Sequence, residues 1–342
     1  MTRIVPQPVA NAVPRWVTSG AAAGTPSIQA GGMEEAVSTM RQLLHDGAPL
    51  WVDIDVTVAA QHRLLAELFG FHPLAIEDTL NPDSRVKIEE YQSCLFIVVR
   101  GVGLDMDTDD PYDLQTNNLY AFLGPKVLVT VHAGDVPSIA RVFDRIAKAP
   151  DLMQYGVERV LHAVLDETID AYFPILQQID GFIDAIEERV FVDFDARALH
   201  DLFQVRRLVL SLRRHLQPSR EVMNILSNRP STLLTPDVQL YFRDIYDHVL
   251  RITDALDTYR ELLGSTMESY LSQVNNRLGM TTKALSVVAT LSLPFVVVSG
   301  MWGMNFARIP LSEWPYGFWI LLVGQAALGA LLLFFLKRRR WL

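Results

Sequence analysis

Acidic side chains at helical spacing are the most conspicuous chemical groups in the sequence. Asp180, Asp184, Glu187 and Glu188 fall close to one helix face by i,i+4 spacing, and Arg206, Arg207, Arg213 and Arg214 lie on the stretch that follows. Such a face is either solvated and salt-bridged or able to attract a metal ion. A second candidate is the carboxamide of Asn305, in Gly303-Met304-Asn305-Phe306, directly after an uncharged apolar run. Taken alone, an asparagine there caps a helix end. The eight histidines include no HExxH or HxH pairing, and no glycine-rich phosphate loop is present, which argues against a hydrolase. His132 and His248 read as core or surface residues rather than ligands. Cys94, the single cysteine, lies in an apolar run and reads as a small buried hydrophobe. No disulfide can form within the chain, which fits a reducing compartment.

These groups must be held by elements of two kinds. Half of the 342 residues are hydrophobic and the formal net charge is -9. That acidic balance, with no basic stripe interleaved with aromatics, argues against nucleic acid as a partner. After Met280 the only acidic residue is Glu313. Ala284 to Trp302 and Gly317 to Leu336 carry no charge, and each is long enough to cross a hydrocarbon core at ~1.5 Å per residue. Two such runs in tandem predict two membrane helices, with the lipid bilayer as partner. Arg277 and Lys283 precede the first, Lys337 to Arg340 follow the second, and residues 303–316 between them hold only Arg308. Lys and Arg concentrate on the cytoplasmic side, so both termini are expected in the cytoplasm, with a short loop outside. Pro294 removes one helical hydrogen bond from the first span and predicts a local bend or widening.

The remainder reads as a cytoplasmic part without a signal peptide. Residues 1–35, rich in proline and glycine, are expected to be a mobile tail. Residues 36–150 predict an α+β or α/β domain. Its strands are expected at Leu50–Val56 and Cys94–Val102, with a hairpin of Asn118–Phe122 and Val127–Val131 across Gly124-Pro125, and helices at Ala59–Phe69 and Ser138–Lys148. Residues 151–235 predict a long antiparallel helical hairpin built from 157–192 and 196–228. Thr235-Pro236-Asp237 then supplies an N-cap, a first-turn proline and an early acid. With no breaker before Trp302, one helix is expected over 236–302, a stalk continuing into the first span at about residue 284.

At the end of that span the sequence resembles the CorA family of divalent-cation transporters. Gly303-Met304-Asn305 carries the resemblance. Ala75 to Val99 (AIEDTLNPDSRVKIEEYQSCLFIVV), Tyr241 to His248 (YFRDIYDH) and the basic ending Lys337 to Leu342 (KRRRWL) extend it over most of the chain. The resemblance implies a funnel-shaped homopentamer in the inner membrane. The first span would line the pore, the second would form an outer ring, and the Gly-Met-Asn loops would form the external mouth. Mg²⁺ sheds its water reluctantly, and a ring of neutral Asn305 carboxamides can present oxygens to the hydrated ion without trapping it. Gly303 would let the backbone turn.

Along the first span Thr282, Leu285 or Ser286, Ala289, Leu293, Val296 and Gly300 recur at intervals of three and four, with Gly279 one step before them. Spacing alone fits both ordinary packing between spans, helped by Ser292 and Ser299, and a pore lining with apolar constrictions at Leu285 and Leu293. The resemblance favours the lining. It also implies a regulatory Mg²⁺ bound between subunits by Asp244 and by Asp105 of the neighbour, so that falling cytoplasmic Mg²⁺ opens the path. Glu268 would add an acidic ring in the stalk.

The sequence departs from the family pattern at Trp302, usually Tyr, at Ile309-Pro310-Leu311-Ser312, usually Met-Pro-Glu-Leu, and at Gly279, often polar. These positions bear on the choice among Mg²⁺, Co²⁺, Ni²⁺ and Zn²⁺. The related ZntB branch moves zinc, while Met304 and Phe306 keep the sequence nearer the magnesium branch. The rival expectations are a ZntB-like zinc or broad divalent-cation transporter, with proton coupling as one variant, and a membrane scaffold that moves nothing. Proton coupling favours an ionisable residue in the membrane, and neither span has one.

Overall fold

The computed structural model describes residues 13–18, 32–91, 94–104, 108, 110–149, 151–193, 196–304, 310–311 and 314–339. In chain order the elements are β1 (Arg15–Thr18), α1 (Met33–Asp46), β2 (Leu50–Asp55), α2 (Ala59–Glu67), α3 (Pro73–Leu80), β3 (Lys87–Tyr91), β4 (Cys94–Leu104), β5 (Leu114–Leu123) and β6 (Val127–His132). Helices follow: α4 (Pro137–Lys148), α5 (Asp151–Gln154), α6 (Val157–Asp170), α7 (Tyr172–Glu188), α8 (Ala196–Asn228), α9 (Pro236–Trp302) and α10 (Gly317–Arg338). Two compact units divide the chain, Met1–Ser265 and Thr266–Leu342, and the boundary falls inside α9.

In the first unit six strands form one sheet in the order β1-β2-β6-β5-β4-β3. Only β2 and β6 run parallel; the other pairs are antiparallel. The Val-, Ile- and Phe-rich centres of β2, β4, β5 and β6 are buried on both faces, as strands covered by helices on each side must be. One face packs Val52, Phe96, Phe122 and Val129 against Met40 of α1, Leu65 of α2 and Ala75 of α3. On the other, α4, α6 and α8 lie across the strands, with Trp51 of β2 stacked on Phe143 of α4 at 4.0 Å between ring centres. Burial of such aromatic pairs contributes area plus roughly 0.5–1.5 kcal/mol of ring–ring attraction.

Three sequence expectations change. Arg15–Thr18, expected within a mobile tail, is a strand paired with Leu50–Asp53. The helix expected over 157–192 is two helices that break at Ala171. Pro174 cannot donate to the Asp170 carbonyl, so α6 ends there and α7 starts anew with the proline in its first turn. A turn of π-helix, Arg189–Asp193, closes α7. Helix α3 was not expected at all; Pro73 opens it, and the His72 Nδ1 accepts from the Leu74 N–H. Helix α9 continues unbroken through Pro294.

In the second unit α9 and α10 are the two helices apolar and long enough to cross a membrane, and only 6% of each apolar window is buried. A core helix of a water-soluble protein would be mostly covered. Where they touch, the Phe295 ring of α9 lies against Gly329 of α10; a Cβ at 329 would sit 2.8 Å from the Phe295 Cζ. Absence of a side chain at Gly329 is what lets the helices approach there.

Candidate metal cluster and ion path

Two helices of the first unit build a carboxylate–imidazole cluster. On α6, Asp166 and Asp170 are four residues apart and so share a face; on α9, Asp244 and His248 do the same. The His248 Nδ1 lies 3.1 Å from Asp170 Oδ1 and 4.0 Å from Asp166 Oδ1, and its Nε2 lies 4.0 Å from Asp244 Oδ2. Ligand atoms of Asp166, Asp170 and His248 all fall within 4.8 Å of one another. The Phe173 ring meets the imidazole edge-on at 5.6 Å and limits its rotation.

The electrostatics fit a cation. Burial, and then the neighbouring Asp170 carboxylate, push the Asp166 carboxyl up to about 6. A carboxylate held that reluctantly is stabilised by any positive charge placed beside it. One turn earlier on α6, His162 is driven down to about 4 by burial and then by Arg159, so it stays neutral. The Arg159 guanidinium itself stacks on the Tyr241 ring of α9 at 3.4 Å. Oxygen donors with one imidazole suit Mg²⁺ weakly and Co²⁺, Ni²⁺ or Zn²⁺ more strongly.

Asp244 thus sits within this group, at its exposed edge, whereas Asp105 lies outside the described residues. Sequence reasoning set His248 aside as a core or surface residue and did not single out Asp166 or Asp170. The i,i+4 pairs Asp166/Asp170 and Asp244/His248 were the available signal, but their meeting depends on α6 packing beside α9. The acidic face of α7 takes a different course: Arg213 of α8, offered as a partner, pairs with Asp257 of α9 at 3.0 Å.

In the second unit the shielded side of the apolar run of α9 holds Val287, Leu291, Phe295, Val298 and Trp302, spaced by three and four, with Ser286 and Pro294 also partly covered. The expected lining residues fall elsewhere. Thr282, Leu285, Ala289, Leu293, Val296 and Gly300 are all exposed, with Leu285, Leu293 and Val296 at 67%, 65% and 66%. Packing of α9 against α10 therefore does not use the 282–300 face. Glu268 precedes this face on the same helix and is exposed.

At the helix end the Gly303 N–H bonds to the carbonyls of Ser299 and Gly300, and the Met304 N–H to that of Met301. Met304 is 52% exposed; Asn305 lies outside the described residues. Beyond it, Leu311 takes a left-handed backbone with φ of 68°. A Cβ on Gly317 would collide with the Leu311 carbonyl, so only glycine fits at the start of α10.

The family profile described as CorA-like Mg²⁺ transporter protein matches residues 46–338. The chain belongs to the CorA family of divalent-cation transporters. The cobalt/magnesium transport protein CorA of Thermotoga maritima is 28% identical over 301 residues, covering 86% of this chain and 84% of that protein. The divalent cation transporter CmaX of Pseudomonas aeruginosa is 25% identical, covering 86% and 87%. Among solved structures, the complete CorA magnesium transporter of Methanocaldococcus jannaschii superposes with a TM-score of 0.77 at 22% identity, over 86% of this chain and 92% of that one. As in that CorA structure, an α/β domain leads into a long helix and two C-terminal apolar helices. Family membership, together with two helices apolar and long enough to cross a membrane, makes this chain a membrane transporter of the CorA family.

Proposed function

We propose that this chain is one subunit of a homopentameric inner-membrane channel that admits Mg²⁺, and with it Co²⁺ and Ni²⁺, under the control of cytoplasmic Mg²⁺. The observation that carries the reading is the bare face of α9. A continuous strip from Thr282 to Gly300, free of α10, leads to Gly303, Met304 and Asn305 in a chain of the CorA family. Surrounded by copies of itself, that strip becomes the wall of a water-filled path, with Leu285 and Leu293 as its narrow apolar points. Asn305 carboxamides at the mouth would receive the ion with its hydration shell.

The cytoplasmic cluster supplies the control. Mg²⁺ at Asp244, joined by Asp105 of an adjacent copy, would neutralise opposed carboxylates and hold subunits together. Asp166 and Asp170 extend that site with carboxylates that repel one another when no ion is present, and His248 adds an imidazole nitrogen. Both termini stand in the cytoplasm, held by Lys283 just before the charge-free run of α9 and by Lys337 and Arg338 at the end of α10.

Mg²⁺ uptake into proteoliposomes tests this, with wild type and Asn305→Ala compared for Mg²⁺, Co²⁺, Ni²⁺ and Zn²⁺ in turn. Uptake of Mg²⁺ that falls in the variant is the expected result; uptake unchanged by the variant would favour a mouth built otherwise. The imidazole in the cluster and the altered loop at Leu311 favour a second reading, a ZntB-like Zn²⁺ transporter. It predicts Zn²⁺ uptake above Mg²⁺ uptake in the same assay, with a pH gradient altering the rate if protons are coupled.

A further inference from the structure

A buried ion pair sits in the sheet of the same unit, outside the metal cluster. Asp53 of β2 accepts from the Arg15 Nη2 and the Thr130 hydroxyl, each at 2.7 Å, and faces the His132 Nε2 at 3.1 Å. The other ring nitrogen of His132, Nδ1, is 2.7 Å from the Gly134 carbonyl oxygen. Both of its neighbours are acceptors, so both nitrogens donate and the ring is an imidazolium. Gly134 is held on its other side too, its N–H donating to Asp55 Oδ1 at 3.3 Å, and it adopts a left-handed φ of 74°. A cleft of about 330 Å³ reaches this group from solvent, so protons can exchange with it.

The Gly134 turn feeds directly into α4, and α4 is fastened to the metal cluster. Ser138, in the first turn of α4, has its hydroxyl 3.2 Å from that of Thr168 on α6, both buried. Arg141 pairs with Glu167 at 2.6 Å. Glu167 and Thr168 lie between Asp166 and Asp170, so the two ties from α4 fix the turn of α6 that carries both carboxylates.

We infer that His132 is a proton-operated clasp: when protonated it locks the Gly134 turn and α4, and through Ser138 it holds the α6 carboxylates in their metal-binding arrangement. The inference rests on the reading of that cluster as the regulatory Mg²⁺ site. Loss of one proton leaves either Asp53 or the Gly134 carbonyl facing a lone pair, and one of the two bonds must break. The charged groups around His132 are Asp53 and Asp55 of β2, Arg15 of β1 and Asp135 of the turn after β6. Burial lowers the proton affinity of His132, but Asp53 and then Asp55 outweigh it and raise its pKa above 6.5. The clasp is therefore closed below 6.5 and opens as pH rises through the raised value.

The midpoint of Mg²⁺ protection against trypsin, measured on the full chain in detergent at about pH 6 and at a pH above the His132 titration as read by histidine NMR on the same protein, tests the clasp. His132→Gln should raise the midpoint on the order of threefold at the lower pH, the size of a modest long-range coupling, and leave it unchanged at the higher pH. Ser138→Ala, which spares the buried pair, should do the same, and adding His132→Gln to it should change nothing further. A ratio equal at both pH values, or full additivity of the two substitutions, overturns the inference. Should His132→Gln fail to fold, Ser138→Ala decides: its midpoint must separate from wild type at the lower pH and converge at the higher. Asp170→Asn is the control. If it leaves the midpoint where it was, the cluster reading itself falls; if it shifts the midpoint while the His132 ratio is flat, only the clasp is wrong.

Discussion

Replacing Asp53 by Asn should destabilise the α/β domain by about 3–5 kcal/mol, the cost of removing one partner from a buried ion pair. The size follows from the contacts. Asp53 is 3% exposed and receives Arg15, Thr130 and His132. An asparagine keeps the shape, but its amide N–H₂ must face at least one donor, and the imidazolium loses its counter-charge. Such a loss is a large share of the 5–15 kcal/mol that holds a typical domain together. The pH dependence has a definite sign. Burial pushes the Asp53 carboxyl up, yet His132 and then Arg15 outweigh it and hold it below 3.8, so its contribution is present above 3.8 and is lost as pH falls through the depressed value. The His132 contribution is present below 6.5 and is lost as pH rises through its raised value. The difference between wild type and variant should thus be largest between 3.8 and 6.5 and shrink on either side. Denaturant unfolding followed by tryptophan fluorescence reads it well, because the Trp51 indole donates to Thr130, which in turn donates to Asp53. A loss under about 1 kcal/mol, or one that does not vary with pH, would refute the argument.

Further outcomes follow from the same geometry. His248→Ala should weaken Mg²⁺ protection of the first unit by at least about 10-fold, the loss typical even of an outer-shell change, as read by limited proteolysis across a Mg²⁺ titration. Gly329→Val should force α9 and α10 apart at Phe295 and cost on the order of 1–3 kcal/mol, read as a lowered melting temperature in detergent. Gly317→Ala should lower transport, because its Cβ collides with the Leu311 carbonyl and the turn before α10 cannot close; equal flux from equal amounts of protein would count against this.

The elements that were legible in the sequence share a local cause. Thr235-Pro236-Asp237 marks a helix start wherever it is placed, and α9 begins at Pro236. Charge-free runs mark spans, and the turn at Gly124-Pro125 marks the β5–β6 hairpin. The elements that were hidden depend on distant partners. Arg15–Thr18 is a strand because β2 offers an edge and Asp53 a counter-ion thirty-eight residues away. The α6–α7 break was legible in principle at Pro174, but the apolar period runs on through it. At the candidate site, the Gly303-Met304 turn could be placed from sequence because it ends an apolar run. The metal cluster could not, since His248 and Asp170 meet across seventy-eight residues. Helical spacing alone could not say which face of α9 packs on α10; Phe295, and not Leu293 or Val296, lies against Gly329.

Cysteine accessibility during transport decides which helix meets the ion. Cys94, the only native cysteine, is buried, so the background is low. Cysteines placed singly at Leu285, Leu293 and Gly300 of α9, and at Leu322 and Phe334 of α10, would be treated with a charged, water-soluble thiol reagent while Mg²⁺ flux is followed. Block of flux at the α9 positions, with α10 positions indifferent, is the predicted result. Block from α10 with α9 silent would contradict it.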